Sequence, residues 1–136
     1  MPPESPTGTP LIHVVAAVIV RGGRYLITRR QKGVHLEGYW EFPGGKVDPG
    51  ETAEAALVRE IREELDAGVE VGRLVLSTTH HYPERSVCLA FYECALTSEP
   101  RPLLGQEMRS VAPGELRSLA FPPADEELIA LLSVSS

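Results

Sequence analysis

The stretch GKVDPGETAEAALVREIREEL, residues 45–65, decides how the rest of the chain is interpreted. Its second half crowds Glu60, Glu63 and Glu64 into a short segment. Each residue of an α-helix turns the chain by roughly 100°, so these three acids fall on one flank, inside an arc of about the same size. The pattern therefore predicts a helix with one strongly acidic face.

The same helix has an apolar stripe and recognisable ends. Four apolar side chains group on a separate, core-facing arc: Leu57, Val58, Ile61 and Leu65. Thr52 is a suitable N-cap, and residues 66–68 a suitable stop, which predicts a helix over residues 52–65. Arg59 and Arg62 are expected to point away on the third side of the helix.

The acidic face has two interpretations. Charge on a helix surface is usually a solvated face. However, Glu60 and Glu64 form an i,i+4 like-charge pair, which destabilises a helix by a few tenths of a kcal/mol. The acids also lie towards the negative C-terminal end of the helix dipole. A cation would offset both costs, and carboxylate oxygens are the ligands that Mg²⁺ and Mn²⁺ prefer. We therefore predict a metal site.

Length and composition restrict the remaining possibilities. The chain has 136 residues, of which 43% are hydrophobic, which predicts one domain over residues 11–136. Residues 1–10, rich in proline and small polar side chains, are expected to form a flexible tail. The net charge of -6 argues against binding to a nucleic-acid polymer, but not against a small phosphate-rich ligand accompanied by divalent cations.

Cysteine usage and the absence of targeting signals indicate a cytoplasmic protein. Cys88 and Cys94 lie on one predicted strand, about 20 Å apart, beyond the reach of a disulfide. The N-terminus lacks the basic start and apolar run of a signal peptide, and no apolar run approaches the length of a membrane span. No membrane partner is expected, and the oligomeric state stays open.

The order of predicted elements is strand, strand, loop, helix, strand, strand, loop, helix. This order indicates the α/β class, with a mixed sheet between helices. The first two strands are expected to pair as a hairpin through the glycines of RGGR, and residues 101–114 receive no assignment. The predicted strands cover residues 11–20, 25–30, 39–42, 71–82 and 86–96, and the last helix covers residues 125–134.

Read from Gly45, the chain gives G-x5-E-x7-R-E-I-R-E-E-L, which resembles the Nudix box, G-x5-E-x7-R-E-U-x-E-E-x-G-U. The resemblance extends over residues 14–132. Within the family, the chain is similar to the MutT branch. It implies the Nudix α/β/α sandwich and hydrolysis of nucleoside diphosphates linked to another moiety. One departure occurs, because the last box glycine is replaced by Asp66, which we interpret as a helix cap shifted to Gly68.

The resemblance also implies roles for individual residues. The expected metal ligands are Glu60, Glu63 and Glu64, a carbonyl of Gly44 or Gly45, and Glu107 from a later loop. Arg59 is expected to orient a glutamate by a salt bridge, and Glu51 to support the site. The expected substrate contacts are Arg30 near the phosphates, Phe42 and Tyr82 in the nucleoside pocket, and His35 and Arg85 at its rim.

The implied reaction is hydrolysis of a nucleoside triphosphate to the monophosphate and pyrophosphate. The implied cofactor is Mg²⁺, for which Mn²⁺ can substitute, and the substrate is a small nucleotide. Polyphosphate hydrolysis needs charge neutralisation and a positioned water more than covalent chemistry. Glu60 is the first choice for the general base and Glu107 the second.

Asp125 bears on which base is bound. The MutT branch has asparagine here, which donates and accepts, whereas an ionised aspartate only accepts. An aspartate suits cytosine N4 or the N–H groups of 8-oxoguanine, so both 8-oxo-dGTP and CTP or dCTP stay open, with the sanitation of oxidised nucleotides favoured. Asp125 could instead merely cap the last helix. A non-catalytic nucleotide-sensing domain and a purely structural cation-binding helix are the alternatives from other classes.

Overall fold

The computed structural model describes residues 10–134. Its strands are β1 (Leu11–Arg21), β2 (Arg24–Arg29), β3 (Trp40–Glu41), β4 (Gly44–Lys46), β5 (Val69–His81), β6 (Ser86–Leu96) and β7 (Met108–Val111). Its α-helices are α1 (Ala53–Leu65) and α2 (Glu126–Ser133), and two 3₁₀ helices cover Pro113–Ser118 and Pro123–Asp125. Of the tail predicted for residues 1–10, all but Pro10 lies outside the described residues.

Within residues 10–134, the strands form one seven-stranded mixed sheet with β1 at its centre. β1 pairs antiparallel with β2 and β4, and parallel with β6, which in turn pairs antiparallel with β5. The β1–β2 hairpin is confirmed, and its turn uses Gly22 and Gly23 at φ 59° and 74°, which glycine adopts without strain. The remaining strands, β3 and β7, both pair with β2.

The centre of β1 is buried on both faces, which explains its unbroken apolar sequence. Val15, Ala17 and Ile19 pack towards α1, and the alternate residues pack towards Phe42, Phe91 and α2. On the α1 side, Leu57, Ile61 and Leu65 are completely buried. The predicted α/β/α sandwich is confirmed, and Val58, which we expected in the core stripe, is instead 43% exposed.

Several boundaries differ from the predicted ones. β4 forms where the sequence suggested only a loop, because Gly44 and Gly45 lie against β1. β7 and the 3₁₀ helix Pro113–Ser118 occupy the unassigned segment after residue 100. Cys88 and Cys94 are unpaired, as expected, and burial raises the pKa of the Cys94 thiol to about 11. None of the helices in residues 10–134 has the length and apolarity to cross a membrane.

The helix cap is not shifted to Gly68, contrary to the prediction. Asp66 itself ends α1 in the left-handed conformation, with φ 51° and ψ 37°, and its N–H donates to the Arg62 carbonyl at 3.1 Å. Aspartate tolerates this conformation better than most non-glycine residues. Its carboxylate pairs with Arg101, which lowers the pKa of Asp66. Asp66 thus performs the capping role of the missing box glycine.

Gly44→Ala is expected to destabilise the fold. A Cβ at residue 44 would lie 2.0 Å from the Val15 carbonyl oxygen and 2.7 Å from Ala16 Cα, so backbone would have to move. We expect a loss of about 3 kcal/mol in the free energy of unfolding, the upper range for over-packing. Urea denaturation followed by circular dichroism measures it, with Gly114→Ala as control because nothing lies within 4 Å of that Cβ position. Equal stability of the two variants would contradict the assigned β1–β4 packing.

Candidate active site

The acidic flank of α1 is positioned by the way the helix is anchored. The Thr52 hydroxyl accepts the Ala55 N–H at 3.1 Å and begins the helix. The buried stripe Leu57, Ile61 and Leu65 fixes the rotation of α1 against the sheet. Because this stripe faces the sheet, Glu60, Glu63 and Glu64 lie on the other side of α1, where their charges can reach solvent or hydrogen-bond donors. These three side chains are called the carboxylate cluster below.

Glu60 depends on the missing side chain of Gly45. A Cβ on residue 45 would lie 2.6 Å from both Cδ and Oε1 of Glu60, so the carboxylate occupies space that only glycine leaves free. The Glu60 side chain is only 16% exposed. β4 therefore brings its backbone against the acidic flank of α1, with a carboxylate held between the two.

Arg59 is the centre of the ion-pair network on this flank. Its guanidinium donates to both oxygens of Glu51, from Nε at 2.8 Å and from Nη2 at 2.9 Å. Nη1 donates to Glu60 at 2.9 Å and to Glu63 at 3.4 Å. Nη2 also lies 3.4 Å from Oδ2 of Asp48. The helical projection that turned Arg59 away from the acids was therefore wrong, because its long side chain curls back across them.

The network has clear electrostatic consequences. Hydrogen bonds from Arg59 lower the pKa of the Glu51 carboxyl to about 2, and a hydrogen bond from the Asp48 backbone adds to this effect. The same contacts raise the pKa of Arg59 above its ordinary value. Glu51 therefore stays ionised and keeps Arg59 beside the carboxylate cluster.

Glu64 lies in a different environment from Glu60 and Glu63. Its side chain lines a cavity of about 160 Å³, the acidic cavity, together with Arg30, Glu41 and Gln106. Burial, together with a hydrogen bond with Glu60 and the charges of the surrounding glutamates, raises the pKa of the Glu64 carboxyl to about 9. The Glu64 carbonyl accepts hydrogen bonds from the Leu103 N–H at 3.0 Å and from Gln106 Nε2 at 3.1 Å.

A second cavity, of about 260 Å³, adjoins the acidic one. We call it the aromatic cavity; its wall includes Val14, Phe42, Leu89, Phe91, Ala124 and Asp125. Phe42 is held by an edge contact with Phe91 at 6.1 Å and a stacked contact with Phe121 at 5.4 Å between ring centroids. Such a cavity, apolar with a few polar groups, is typical of a small-molecule site.

Two charged residues, Arg30 and Glu41, belong to the walls of both cavities. Arg30 Nη1 donates to Glu41 Oε2 at 2.9 Å, and Arg30 Nε donates to the His35 carbonyl. The guanidinium is therefore oriented by two acceptors, and the ion pair lies where the walls of the two cavities meet.

Asp125 is a buried polar residue of the aromatic cavity, with 7% exposure. It precedes α2, but its side chain makes no capping hydrogen bond, so the capping interpretation is wrong. Burial, with a smaller contribution from the Glu41 charge, raises the pKa of the Asp125 carboxyl to about 7. Both its ionised and its protonated form are therefore present near neutral pH.

Some predicted site residues are not brought to these cavities. Tyr82 and Arg85 lie in the exposed β5–β6 turn, and neither lines the aromatic or the acidic cavity. His35 is exposed and contributes only its carbonyl, to Arg30. A larger cavity of about 400 Å³ lies between α2 and the 3₁₀ helix Pro113–Ser118, but it contains none of the carboxylate cluster. Size alone does not make it the active site.

Glu107 is also separate from the carboxylate cluster. Its carboxylate pairs with Arg29 and with Arg109, at 3.3 Å in each case. The two guanidinium groups lie over the Trp40 ring, 5.5 Å and 4.7 Å from its centroid. The neighbouring residue, Gln106, is the one that contacts α1, through the hydrogen bond from its Nε2 to the Glu64 carbonyl.

Sequence reasoning missed Glu41 and Gln106. Glu41 lies one residue before Phe42, and alternation along a strand would place these two side chains on opposite faces, so the sequence did not indicate that both line the aromatic cavity. Gln106 lies in a segment without a regular pattern, so no sequence signal indicated its contact with the last turn of α1.

The NUDIX domain profile matches residues 14–131, which is most of the chain. The chain therefore belongs to the Nudix family, and the helix with its carboxylate cluster is the family's signature element. It is a Nudix hydrolase, a class of enzymes that generally use a divalent metal.

Particular relatives agree with this assignment. The chain is 36% identical over 127 residues to the 8-oxo-dGTP diphosphatase of Escherichia coli K12, covering 87% of this chain and 94% of that protein. It is 49% identical over 67 residues to the CTP pyrophosphohydrolase of the same organism, covering 49% of this chain and 50% of that protein. The solution structure of the E. coli ORF135 protein aligns with a TM-score of 0.82 and 34% identity, covering 91% of this chain and 89% of that one.

The oxygen atoms of the carboxylate cluster and of the β4 backbone are suitable ligands for a divalent cation. In this structure, however, the three carboxylates do not point towards one common position. Within residues 10–134, no three His, Cys, Asp or Glu side chains come together closely enough to hold a metal. Arg59 engages Glu60 and Glu63, while Glu64 faces the acidic cavity. The space left by Gly45 beside Glu60, and an all-oxygen set of carboxylates and backbone carbonyls, suit Mg²⁺ or Mn²⁺.

Gly45→Ala is expected to weaken metal binding without unfolding the protein. The new Cβ would displace the flexible end of Glu60, which costs little stability but moves one carboxylate. We expect the Mn²⁺ dissociation constant to rise about tenfold or more, as when a supporting residue of a metal site is changed. Titration followed by electron paramagnetic resonance measures it, with Gly114→Ala as the control. Unchanged Mn²⁺ affinity in Gly45→Ala would contradict the assigned role of Gly45.

Proposed function

We propose that this Nudix hydrolase cleaves nucleoside triphosphates to nucleoside monophosphates and pyrophosphate in a Mg²⁺-dependent reaction. The observation that carries the proposal is the junction of the two cavities. The aromatic cavity, of a size and composition that suit a nucleobase, meets the carboxylate cluster across the Arg30–Glu41 pair. A nucleotide that spans both would have its base on Phe42 and its phosphates beside α1. The named activities of the two E. coli relatives support the same reaction class.

Glu60, Glu63 and Glu64, with the carbonyl of Gly44 or Gly45, would hold the metal. Mg²⁺ held by these residues would supply charge neutralisation for the phosphates and would lower the pKa of the attacking water. Arg59 keeps the Glu60 carboxylate in place by donating at 2.9 Å while Glu51 fixes the guanidinium from its other side. Arg30, oriented by Glu41 and the His35 carbonyl, supplies a positive charge for the phosphate chain.

Glu60 is the proposed general base. It lies beside the backbone of β4 and accepts from Arg59 through Oε1, so its carboxylate keeps lone pairs for a water molecule. Glu107, the second choice, has its carboxylate occupied by Arg29 and Arg109 next to Trp40. A base must be within hydrogen-bond reach of the proton that it removes. Glu107 is therefore not proposed for this role.

The protonation of Asp125 favours 8-oxo-dGTP as the substrate. A protonated carboxyl both donates and accepts, so it can donate to O6 of 8-oxoguanine and accept from a ring N–H, as an asparagine would. With a pKa of about 7, Asp125 supplies this form at neutral pH. Hydrolysis of CTP or dCTP is the second candidate, because the ionised form accepts from the cytosine amine and the CTP pyrophosphohydrolase is 49% identical over its matched half. The non-catalytic sensor is not favoured, since all three box acids are present.

Hydrolysis by wild type and Glu63→Gln tests the proposed function. With Mg²⁺ and a panel of 8-oxo-dGTP, dGTP, dCTP, CTP and 5-methyl-dCTP, we expect pyrophosphate release with the highest kcat/KM for 8-oxo-dGTP. Glu63→Gln should lower kcat by about 100-fold or more, because catalysis of phosphoryl transfer is mainly electrostatic. Glu70→Gln, a change at an exposed acid of β5, serves as the control. No pyrophosphate release from any nucleotide would sink the proposal.

The pH dependence of base selection tests the role of Asp125. Because its pKa is about 7, the protonated form is lost as the pH rises from 6 to 8. We expect kcat/KM for 8-oxo-dGTP to fall relative to that for dCTP, by about tenfold per pH unit above the pKa. Asp125→Asn should remove this pH dependence of the ratio. The other charged groups of the cavity, Arg30 and Glu41, are unchanged in this variant. An identical pH profile of the ratio in both proteins would show that Asp125 does not select the base.

A further inference from the structure

A further cavity, of about 380 Å³, lies on the face of the sheet that α1 covers. Among the residues that the structure describes, none of the carboxylate cluster belongs to its wall. The polar part of the wall contains His13, Ser77 and Cys88, and we call this space the thiol cavity. Its apolar part includes Val47, Ala53, Leu74, Ala90 and Tyr92. A cavity of this size, apolar with a few polar groups, can hold a small organic group.

Strand register brings the three polar side chains of the thiol cavity together. His13 on β1 and Cys88 on β6 are direct partners in the parallel β1–β6 pair. Ser77 on β5 reaches the same sulfur, with its Oγ 3.8 Å from Cys88 Sγ. The thiolate is the nucleophilic form of cysteine, and a neighbouring imidazole can accept the thiol proton. Cys88 therefore has a base, a hydroxyl group and open space beside it.

Cys94, on the same strand, has the opposite environment. It is 2% exposed, and its thiol donates to the Tyr92 carbonyl at 3.5 Å. Burial raises the pKa of the Cys94 thiol to about 11, which keeps it protonated and unreactive at neutral pH. Cys88 is only half-buried and lies in a cavity wall. The chain thus has one thiol that a small reagent can reach and one that it cannot.

The thiol cavity is connected to the carboxylate cluster through Glu51. Glu51 belongs to the cavity wall, and so does Ala53, the first residue of α1. Both carboxylate oxygens of Glu51 accept from Arg59, which in turn contacts two members of the carboxylate cluster. An organic group attached to Cys88 would share the cavity with Glu51. Filling the cavity would therefore disturb the carboxylate that anchors Arg59.

We propose that Cys88 is a regulatory modification site, where a low-molecular-mass disulfide forms a mixed disulfide that weakens metal binding at α1. The thiol proton passes to His13, and the Cys88 thiolate attacks one sulfur of the reagent. A new S–S bond forms as the old one breaks, and the other half leaves as a thiolate, so Cys88 is oxidised while the leaving half is reduced. A reducing thiol reverses the exchange. The effect on hydrolysis rests on the proposed function.

The dimensions of the thiol cavity indicate the class of reagent. Oxidation by a peroxide adds only oxygen to the sulfur, which requires no cavity of this size. A mixed disulfide adds an organic group, which the apolar wall can contact and to which His13 and Ser77 can hydrogen-bond. The cavity therefore favours a disulfide with an organic half over a peroxide.

The first measurement is the site and rate of modification of the reduced, folded protein by dipyridyl disulfide at neutral pH. The absorbance of the released thiopyridone gives the rate, and peptide mass spectrometry gives the site. We expect one added group on Cys88 and none on Cys94. Cys94→Ser should react as wild type does, and Cys88→Ser should not react. His13→Gln should slow the reaction about tenfold or more, because the neighbouring base is lost.

The second measurement is Mn²⁺ binding, followed by electron paramagnetic resonance before and after modification. We expect the dissociation constant to rise about tenfold in modified wild type, as when a supporting residue of a metal site is changed, and to return after reduction. Methyl methanethiosulfonate is the matched control reagent, since its methylthio group leaves most of the cavity empty and should have little effect. The kcat/KM for the preferred nucleotide should fall with the Mn²⁺ affinity.

Equal modification of Cys88 and Cys94 in the folded protein would overturn the inference. Unchanged Mn²⁺ affinity after modification of Cys88 would overturn it as well. Folding is checked by circular dichroism, and Cys88→Ala replaces Cys88→Ser if that variant unfolds. The modification and metal measurements do not depend on hydrolysis. Failure of unmodified wild type to hydrolyse any nucleotide would therefore overturn the proposed function alone.

Discussion

The bidentate pairing of Arg59 with Glu51 is the interaction on which the site depends. Like charges gathered at one end of α1 repel one another and oppose the helix dipole. Arg59 offsets this repulsion from within the chain, since it contacts Glu60 and Glu63 as well as Glu51. Because the pKa of Glu51 is lowered to about 2, the anchoring carboxylate stays charged over the whole range in which a protein of this kind works.

The surrounding structure supports the same end of α1. Asp66 ends the helix in the left-handed conformation, and the segment after β6 donates to the last carbonyls. The Arg101 N–H bonds to the Leu65 carbonyl at 2.7 Å, and two further donors, from Leu103 and Gln106, reach the Glu64 carbonyl. These groups satisfy carbonyls that a helix end leaves without partners. The last turn, which carries Glu63 and Glu64, is therefore held firmly although its charges are unfavourable.

The sequence was sufficient for the parts of the fold that rest on local patterns. The acidic flank of α1, the Thr52 cap and the β1–β2 hairpin follow from helical periodicity, capping chemistry and a glycine turn. The roles of Arg59, Glu107 and Asp125 depended on contacts between distant segments, and here prediction was weaker. Arg59 curls back over the acids, Glu107 pairs with Arg29 and Arg109, and the Asp66 cap required backbone angles that no spacing rule supplies. Tyr82 and Arg85 were inferred from resemblance alone, and the β5–β6 turn leaves them exposed and outside both cavities.

The central claim is that α1 and the backbone of β4 together bind a divalent cation against a phosphate chain. The most direct test is a crystal structure with Mn²⁺ and a non-hydrolysable nucleoside triphosphate, in which anomalous scattering locates the metal. The account predicts Mn²⁺ beside Glu60, Glu63 and Glu64, with Arg59 still paired to Glu51 and the base against Phe42. Nucleotide bound with Mn²⁺ away from α1, or with no Mn²⁺ at all, would contradict it.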